Sequence, residues 1–465
     1  MRIKASPGRR GKTAAAMDDA LLAKYGGPVP RYTSYPTSPH FTEAVGPEFM
    51  LGWLAALPQR LPLSLYLHVP FCDTLCWFCG CHTKVVARYE PVAAYLELLL
   101  AEIDLVARRL EGRRPVLQVH LGGGSPTVLT PEDHARLTGA LNEASDLQPG
   151  AEIAIEIDPR GLKQSQVEAL AACGTTRASL GVQDHDPQVQ RAINRIQPFE
   201  TTAAAVEMLR AAGIEALNLD LMYGLPHQTE AGLRRTVSEC LSLAPNRIAL
   251  FGYAHVPGLK AHQRLIPEEA LPGPAERWAQ AEAAAEVLTE AGYRWIGLDH
   301  FARPDDPLAV ALGEGRLRRN FQGYTADASP ALIGFGASAI SALPQGYAQN
   351  QVPVHAYAAA VRSDRLATAR GFALDRDDRL RRAVIERLMC DLRVDLQALS
   401  AEHGLDGSHL SPELARLEPF ERDRLVERRG SEILVTEAGR ALVRSVAGVF
   451  DRYLPNSVAR HSQAV

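Results

Sequence analysis

The sequence predicts an α/β fold: a partial (β/α)6-type barrel of parallel strands, preceded by an N-terminal arm and followed by a mostly helical C-terminal domain. Three observations carry this. From residue 62 to about 302, short apolar runs alternate with amphipathic segments of helical period. Chemically suggestive side chains collect where each apolar run ends, the end at which α/β barrels build their active sites. Beyond 301 the alternation stops, and helical patterning resumes only after a polar stretch. A doubly wound sheet is the alternative topology for the same alternation.

Taken in order, residues 1–50 form the arm, and its basic start, MRIKASPGRRGKTAAAM, is expected to be disordered over 1–20. That start lacks the apolar core of a signal peptide, so a cytoplasmic protein is expected. The barrel domain covers 51–365, with a C-terminal extension. Its strands are expected at 64–71, 116–124, 151–159, 177–184, 216–224 and 247–255, each short and apolar enough to be buried on both faces. Helices are expected at 89–110, at 130–144 with Thr130 as N-cap and Pro131 at the first helical position, and at 229–244. Residues 302–325 read as a polar loop. The C-terminal domain covers 366–465. A helix over 376–392 presents Leu380, Val384, Leu388 and Leu392 on one face, and 431–454 reads as a short strand and then a helix with Leu442, Val446, Val449, Phe450 and Tyr453 on its face. This unit could resemble a winged helix. With a net charge of −4 and no concentrated basic face, packing or covering the barrel suits it better than binding nucleic acid. No run of about 18 apolar residues exists, so no membrane span is expected.

Four of the seven cysteines, Cys72, Cys76, Cys79 and Cys81, fall in YLHVPFCDTLCWFCGCHTK (66–84). A four-thiolate zinc site usually takes two pairs a dozen or more residues apart, which this loop does not offer. A [4Fe–4S] cube accepts three thiolates from one loop and leaves its fourth iron open. The remaining Cys173, Cys240 and Cys390 sit in apolar helical patterns and read as small core residues. Glu156 and Asp158 end the third strand, Gln183 and Asp184 the fourth; Asp220 and Tyr223 lie near the end of the fifth, Tyr253 and His255 near the end of the sixth.

The pattern C-x3-C-x-Φ-C, with Phe78 before the third cysteine, resembles the radical S-adenosylmethionine enzymes. The likeness goes further. YLHVPFCDTLCWFCGC, GGGSPT (122–127), IEIDPR (155–160), GVQDHD (181–186), NLDLMYGLP (218–226), DHFARPDD (299–306), NFQGYT (320–325) and RYTSYPT (31–37) together resemble oxygen-independent coproporphyrinogen III dehydrogenases, also called oxidases, from about residue 30 to 455. Ser125 departs from the threonine expected there and keeps the hydroxyl.

The resemblance implies an oxidoreductase of haem biosynthesis. It converts two propionates of coproporphyrinogen III to vinyl groups without O2, giving protoporphyrinogen IX, through a 5′-deoxyadenosyl radical that abstracts a propionate β-hydrogen. It implies a [4Fe–4S] cluster on Cys72, Cys76 and Cys79, with the open iron chelating S-adenosylmethionine. It implies two such molecules: one met by Tyr66, Gly123, Glu156, Ala254 and Ile340, the other by Phe78, Gly124, Ser125, Gln183, Arg195 and Asp220. Cys81 and Tyr66 are the candidate catalytic residues, Cys81 beside the second molecule. A flavodoxin- or ferredoxin-type reductant and a monomeric state are also implied. The four propionates of the substrate call for cations, and Arg31, Lys84, Arg160 and Arg303 are the candidates. His68 and His82 are expected to pack or to face solvent rather than to ligate. Two related activities share much of this pattern: a haem chaperone, which usually lacks the fourth cysteine and the N-terminal arm, and a radical methyltransferase.

Overall fold

A computed structural model describes residues 19–454; most of the tail expected to be disordered lies outside them. Six parallel strands form the barrel: β1 (Leu63–Val69), β2 (Pro115–Gly123), β3 (Asp146–Ile157), β4 (Arg177–Gln183), β5 (Ala216–Tyr223) and β6 (Arg247–Gly252). Each pairs with the next in chain order, which rules out the reversal of a doubly wound sheet. The strands keep a period of two beneath their apolar look. On β5, Leu217, Leu219 and Leu221 are fully buried, whereas Asn218 and Asp220 line an interior cavity. The interior of the barrel is therefore polar, and the main core lies between the sheet and its helices.

The expected helices appear as Glu90–Arg109, Pro131–Ala144 and Glu230–Ser242. Thr130 caps the second as expected, its hydroxyl accepting the Asp133 N–H at 3.2 Å. Helices Gln164–Ala172 and Phe199–Ala211 complete two further units. Cys240 and Cys390 are buried as expected; Cys173 is only half-buried, because it caps the C-terminus of Gln164–Ala172.

The barrel does not close. Its twelve-stranded sheet continues beyond both edges. Ala331–Phe335 adds to β1 in parallel, followed by the antiparallel strands Ile340–Leu343, Gly346–Asn350 and Thr368–Ala373. His300–Ala302 and then Arg294–Ile296 add antiparallel beyond β6. We therefore end the barrel unit at Ala373 rather than at 365, since Thr368–Ala373 is hydrogen-bonded into the sheet.

Residues 302–325 are not a loop. They form a helix, Pro307–Gly313, and a hairpin of Arg318–Asn320 with Gly323–Thr325. Asp306 caps the helix, and Gly323 supplies the positive φ of 123° at the hairpin turn. Leu308, Leu317 and Tyr324 anchor the segment. These elements are too short for periodicity to reveal.

In the C-terminal unit, Leu380, Val384 and Leu388 are buried along Arg376–Asp391, and Leu392 ends that helix in the left-handed region with φ 58°. Two more helices, Leu396–Glu402 and Ser411–Arg422, pack beside a three-stranded antiparallel sheet. The final helix is shorter than its apolar face suggests, Val443–Gly448. The core of this unit includes Tyr25, Val29, Tyr32 and Tyr35 from the arm. Among the described residues, no helix is long and apolar enough to cross a membrane.

Candidate active site

Past Val69 the chain enters the cysteine loop, which is closed where Phe71–Cys72 pairs with Lys84–Val85. The loop is pinned from two sides. The Trp77 N–H donates to Ile193 O at 2.9 Å and Asn194 Nδ2 to Leu75 O at 2.8 Å. From the other side Lys260 Nζ donates to Cys81 O at 2.8 Å, His262 Nε2 meets Cys79 O at 2.7 Å, and Gln263 Nε2 donates to Phe78 O at 3.0 Å and Ala254 O at 3.1 Å. Phe78 packs against Val189, Ile193, Leu225, Tyr253 and Ile266. The clamp at 260–263 escaped the sequence reading because it lies in a short 3-10 helix, Ala261–Leu265, after β6.

All seven cysteines are free. Arg160 and Arg195 donate to the Cys76 sulfur at 3.3 and 3.4 Å, and the Cys81 N–H donates to the Cys79 sulfur at 3.4 Å. Burial pushes the Cys72 thiol up to about 12, and the charges of Cys79 and Cys76 add to that. Three thiolates so close to one another call for bound positive charge. Among the described residues, no three or more His, Cys, Asp or Glu side chains are placed to hold a single metal ion. A cube ligated at three corners suits this donor set, and N–H···S bonds of this kind tune such a cluster.

The glycines of GGGSP join the loop to β2. A Cβ on Gly124 would lie 2.2 Å from Phe71 O, so no other residue fits there. This contact lets the Gly124 N–H donate to Val69 O and the Ser125 N–H to Phe71 O, both at 2.8 Å. Gly123 has φ 112°, and a Cβ on Gly122 would meet Glu156 Oε1 at 2.7 Å.

Below this cradle is a cavity of about 460 Å³, lined by His120, Glu156, Ser179, Asp220, His300 and Gln322 among others. Glu156 accepts the Gly123 N–H at 3.1 Å and pairs with His120 Nε2 at 3.1 Å. Burial alone would raise its pKa, but the His120 hydrogen bond and charge outweigh it and hold the carboxyl below its usual range. Asp220 has only neutral donors, Ser179 Oγ at 3.0 Å and Asn218 Nδ2 at 2.7 Å, and burial lifts it to about 6. Tyr66 hydrogen-bonds His68 Nδ1 at 3.0 Å, and His68 Nε2 reaches His82 O at 3.0 Å, tying β1 to the cysteine loop. His68 is thus buried, while the His82 side chain is exposed and only its carbonyl takes part. The Cys81 sulfur lies within electrostatic reach of Tyr66 and Glu156, the residues expected to meet the first S-adenosylmethionine. Ile340 lies against Gly334, which sits opposite Tyr66 on the neighbouring strand.

Arg195 forms the centre of a second group. It holds Asp158 through two nitrogens at 3.2 Å and Gly181 O at 2.7 Å. Gln183, at a sheet irregularity with φ 71°, turns back beside Gly181 and Arg195. Ser125 Oγ accepts the Asp158 N–H at 3.3 Å. His120 and the clamp residues are functional candidates absent from the sequence reading. His120 was legible, because it shares the inward register of β2 with Gln118 and Gly122. Of the four expected propionate cations, Arg160 is taken up by Asp158 and Cys76, and Lys84 lies on the short strand that closes the cysteine loop. Arg303 is at the wrong end: His300–Ala302 runs antiparallel to β6, which carries Arg303 beside Asn246 at the opposite face of the barrel, where it pairs with Asp305.

Comparison with known proteins decides the family. A protein of Bradyrhizobium diazoefficiens named oxygen-independent coproporphyrinogen III oxidase is 53% identical over 437 residues, covering 94% of this chain and 97% of that one. This chain belongs to the oxygen-independent coproporphyrinogen III oxidases. The namesake of Escherichia coli is 42% identical over 438 residues, with 94% and 95% coverage. A solved Escherichia coli structure titled as a coproporphyrinogen III oxidase and a radical SAM enzyme covers 94% of this chain and 99% of that one, at 40% identity and a TM-score of 0.88. The family model described as the radical SAM superfamily matches residues 66–240, and the one described as the HemN C-terminal domain matches 374–442. In this oxidase the first match runs from Tyr66 on β1 into the helix Glu230–Ser242 that follows β5, and the second begins where the large sheet ends.

Proposed function

We propose that the chain decarboxylates two propionates of coproporphyrinogen III oxidatively, without O2, to the vinyl groups of protoporphyrinogen IX. The observation that carries the reading is the joining of the three-cysteine loop to the glycine cradle and to Glu156 at one end of a parallel barrel. Its cofactors are a [4Fe–4S] cluster and S-adenosylmethionine. When bound, they supply a 5′-deoxyadenosyl radical, which takes a hydrogen atom from carbon that no side-chain base could deprotonate.

The residues of this chain position the reactants and shield them. Cys72, Cys76 and Cys79 hold the cluster, with Arg160 and Arg195 beside Cys76. Tyr66, Gly123, Glu156, Ala254 and Ile340 hold one S-adenosylmethionine; Phe78, Gly124, Ser125, Gln183, Arg195 and Asp220 hold the second. Glu156 is ionised and fits ribose hydroxyls or an ammonium. Asp220, with no cation of its own, is suited to a ligand that brings donors. Tyr66 and Cys81 lie beside the reacting end. A flavodoxin- or ferredoxin-type donor reduces the cluster, and the enzyme acts as a monomer in the cytoplasm.

Anaerobic reconstitution with iron and sulfide, followed by product analysis with S-adenosylmethionine and coproporphyrinogen III, tests the reading. Vinyl products are expected; stable haem binding without them would favour a chaperone instead. Serine at Cys72, Cys76 or Cys79 is expected to remove both iron and turnover. Cys81→Ser should keep the iron and impair turnover, and loss of iron there would make Cys81 a ligand.

A further inference from the structure

A second cavity, of about 70 Å³, lies where the arm, β6 and the C-terminal unit meet. That is about the liquid volume of two waters, room for one carboxylate head. Three guanidinium groups from three distant parts of the chain border it: Arg31 of the arm, Arg277 of the helix Pro274–Glu290, and Arg444 of the last helix. Trp278, Trp295 and Leu298 form an apolar wall.

Three guanidinium groups and two carboxylates line this cavity. Arg31 donates to Gly252 O at 2.7 Å, and Arg277 donates to Tyr253 O at 3.0 Å with its guanidinium over the Tyr223 ring. Both are thus held by carbonyls and an aromatic face, and among the described residues neither forms an ion pair. Two carboxylates reach the cavity, and the charge of one of them, Asp299, acts on Arg31 and Arg444, leaving Arg277 without a carboxylate partner. Asp299 is bonded to His300 at 2.7 Å. Burial pushes the Glu282 carboxyl up, with the Glu286 charge adding to it, the reverse of what an arginine partner does. Burial and the charge of Arg31 both lower the pKa of Arg277 and of Arg444. The cavity backs onto the site: Tyr253, whose carbonyl Arg277 holds, packs in the same apolar cluster as Phe78 and precedes Ala254.

We propose that this cavity is a carboxylate-binding pocket, which seats one propionate of the tetrapyrrole between Arg31, Arg277 and Arg444 with its methylenes against Trp278 and Trp295. This rests on the proposed function, which supplies a ligand with four propionates of which only two react. A free inorganic anion is the other source of the same charge.

The reconstituted full-length enzyme is titrated anaerobically with coproporphyrin III, the stable oxidised form of the substrate, and separately with inorganic phosphate, as wild type, Arg277→Gln and Arg277→Lys. Removing one charge-assisted hydrogen bond is expected to weaken coproporphyrin III binding about tenfold in Arg277→Gln, with partial recovery in Arg277→Lys. KM for coproporphyrinogen III should rise while kcat, iron content and S-adenosylmethionine binding hold. Loss of phosphate binding in Arg277→Gln with coproporphyrin III binding untouched overturns the propionate assignment. Equal binding of both ligands to all three folded proteins overturns the pocket. Where Arg277→Gln does not accumulate as folded protein, Arg31→Gln, on the arm, gives the same readouts. Wild-type enzyme that yields no vinyl product sinks the proposed function, yet the two titrations still read out the pocket.

Discussion

Glu156 shows how one side chain is aimed by its neighbours. The Gly123 N–H and His120 occupy part of its carboxylate, so the rest faces the cavity ionised. His120→Ala removes one of these supports. S-adenosylmethionine is expected to bind about tenfold more weakly, with His120→Gln recovering part of the loss, as read by equilibrium dialysis. Asp220 behaves oppositely. Burial lifts it to about 6, so it is protonated below that pH and ionised above it. Occupancy of the second S-adenosylmethionine site is therefore expected to fall as pH drops through about 6, and Asp220→Asn should abolish that dependence; the same fall in the variant would place the titrating group elsewhere. The sequence marked Asp220, because a charged residue inside an apolar strand is costly unless it is used or paired, and Glu156 by its place at a strand end. It left open what each would pair with, since His120 and Ser179 approach only through the register of adjacent strands.

At the scale of elements, the helix Glu90–Arg109 is fastened to the far side of the sheet by one buried carboxylate. Glu102 accepts the Gly336 N–H at 2.6 Å, Tyr357 Oη at 2.8 Å and Asn350 Nδ2 at 2.7 Å. Burial raises it from 4.5 to about 7 despite these donors. The folded protein thus binds this proton more tightly than the unfolded chain. Stability is expected to fall by about 3 kcal/mol as pH rises from 4.5 to about 7, and to stay level from this group above that. Urea midpoints of Glu102→Gln against wild type check this, and an unchanged slope in the variant would refute it. The helical period places Glu102 on the buried face with Tyr95, Leu99 and Val106, but its partners come from more than 230 residues downstream and leave no mark in AYLELLLAEIDLV. The six strands were legible because their apolar halves face helices and their ends carry the chemistry. The antiparallel additions at the sheet edges were not: strands such as His300–Ala302, of 3 residues, have no period to read. The Pro307–Gly313 helix was likewise hidden, its pattern too brief to stand out from DHFARPDD.

For the whole molecule, the arm is structural as well as peripheral. Tyr25 and Tyr32 bind Asp423 and Asp451, while Arg31 reaches Gly252 at the rim of the barrel. Deleting residues 1–38 is expected to lower activity while cluster iron is retained. Because Tyr25, Val29, Tyr32 and Tyr35 leave the core with it, amides in Arg376–Asp391 and Val443–Gly448 should also lose hydrogen-exchange protection. Full protection in the truncated chain would show that the C-terminal unit stands alone. The pairing of the two chain ends also bears on how the protein is made. Tyr32 meets Asp451, 419 residues later. At about 5–20 residues per second of synthesis, the arm leaves the ribosome roughly 20–80 s before its partner exists. During that interval the barrel has its cysteine loop but neither the arm nor the final helix in place. The contacts that join the arm to the C-terminal unit therefore form only once nearly the whole chain has been made, so the two ends of the chain close the fold last.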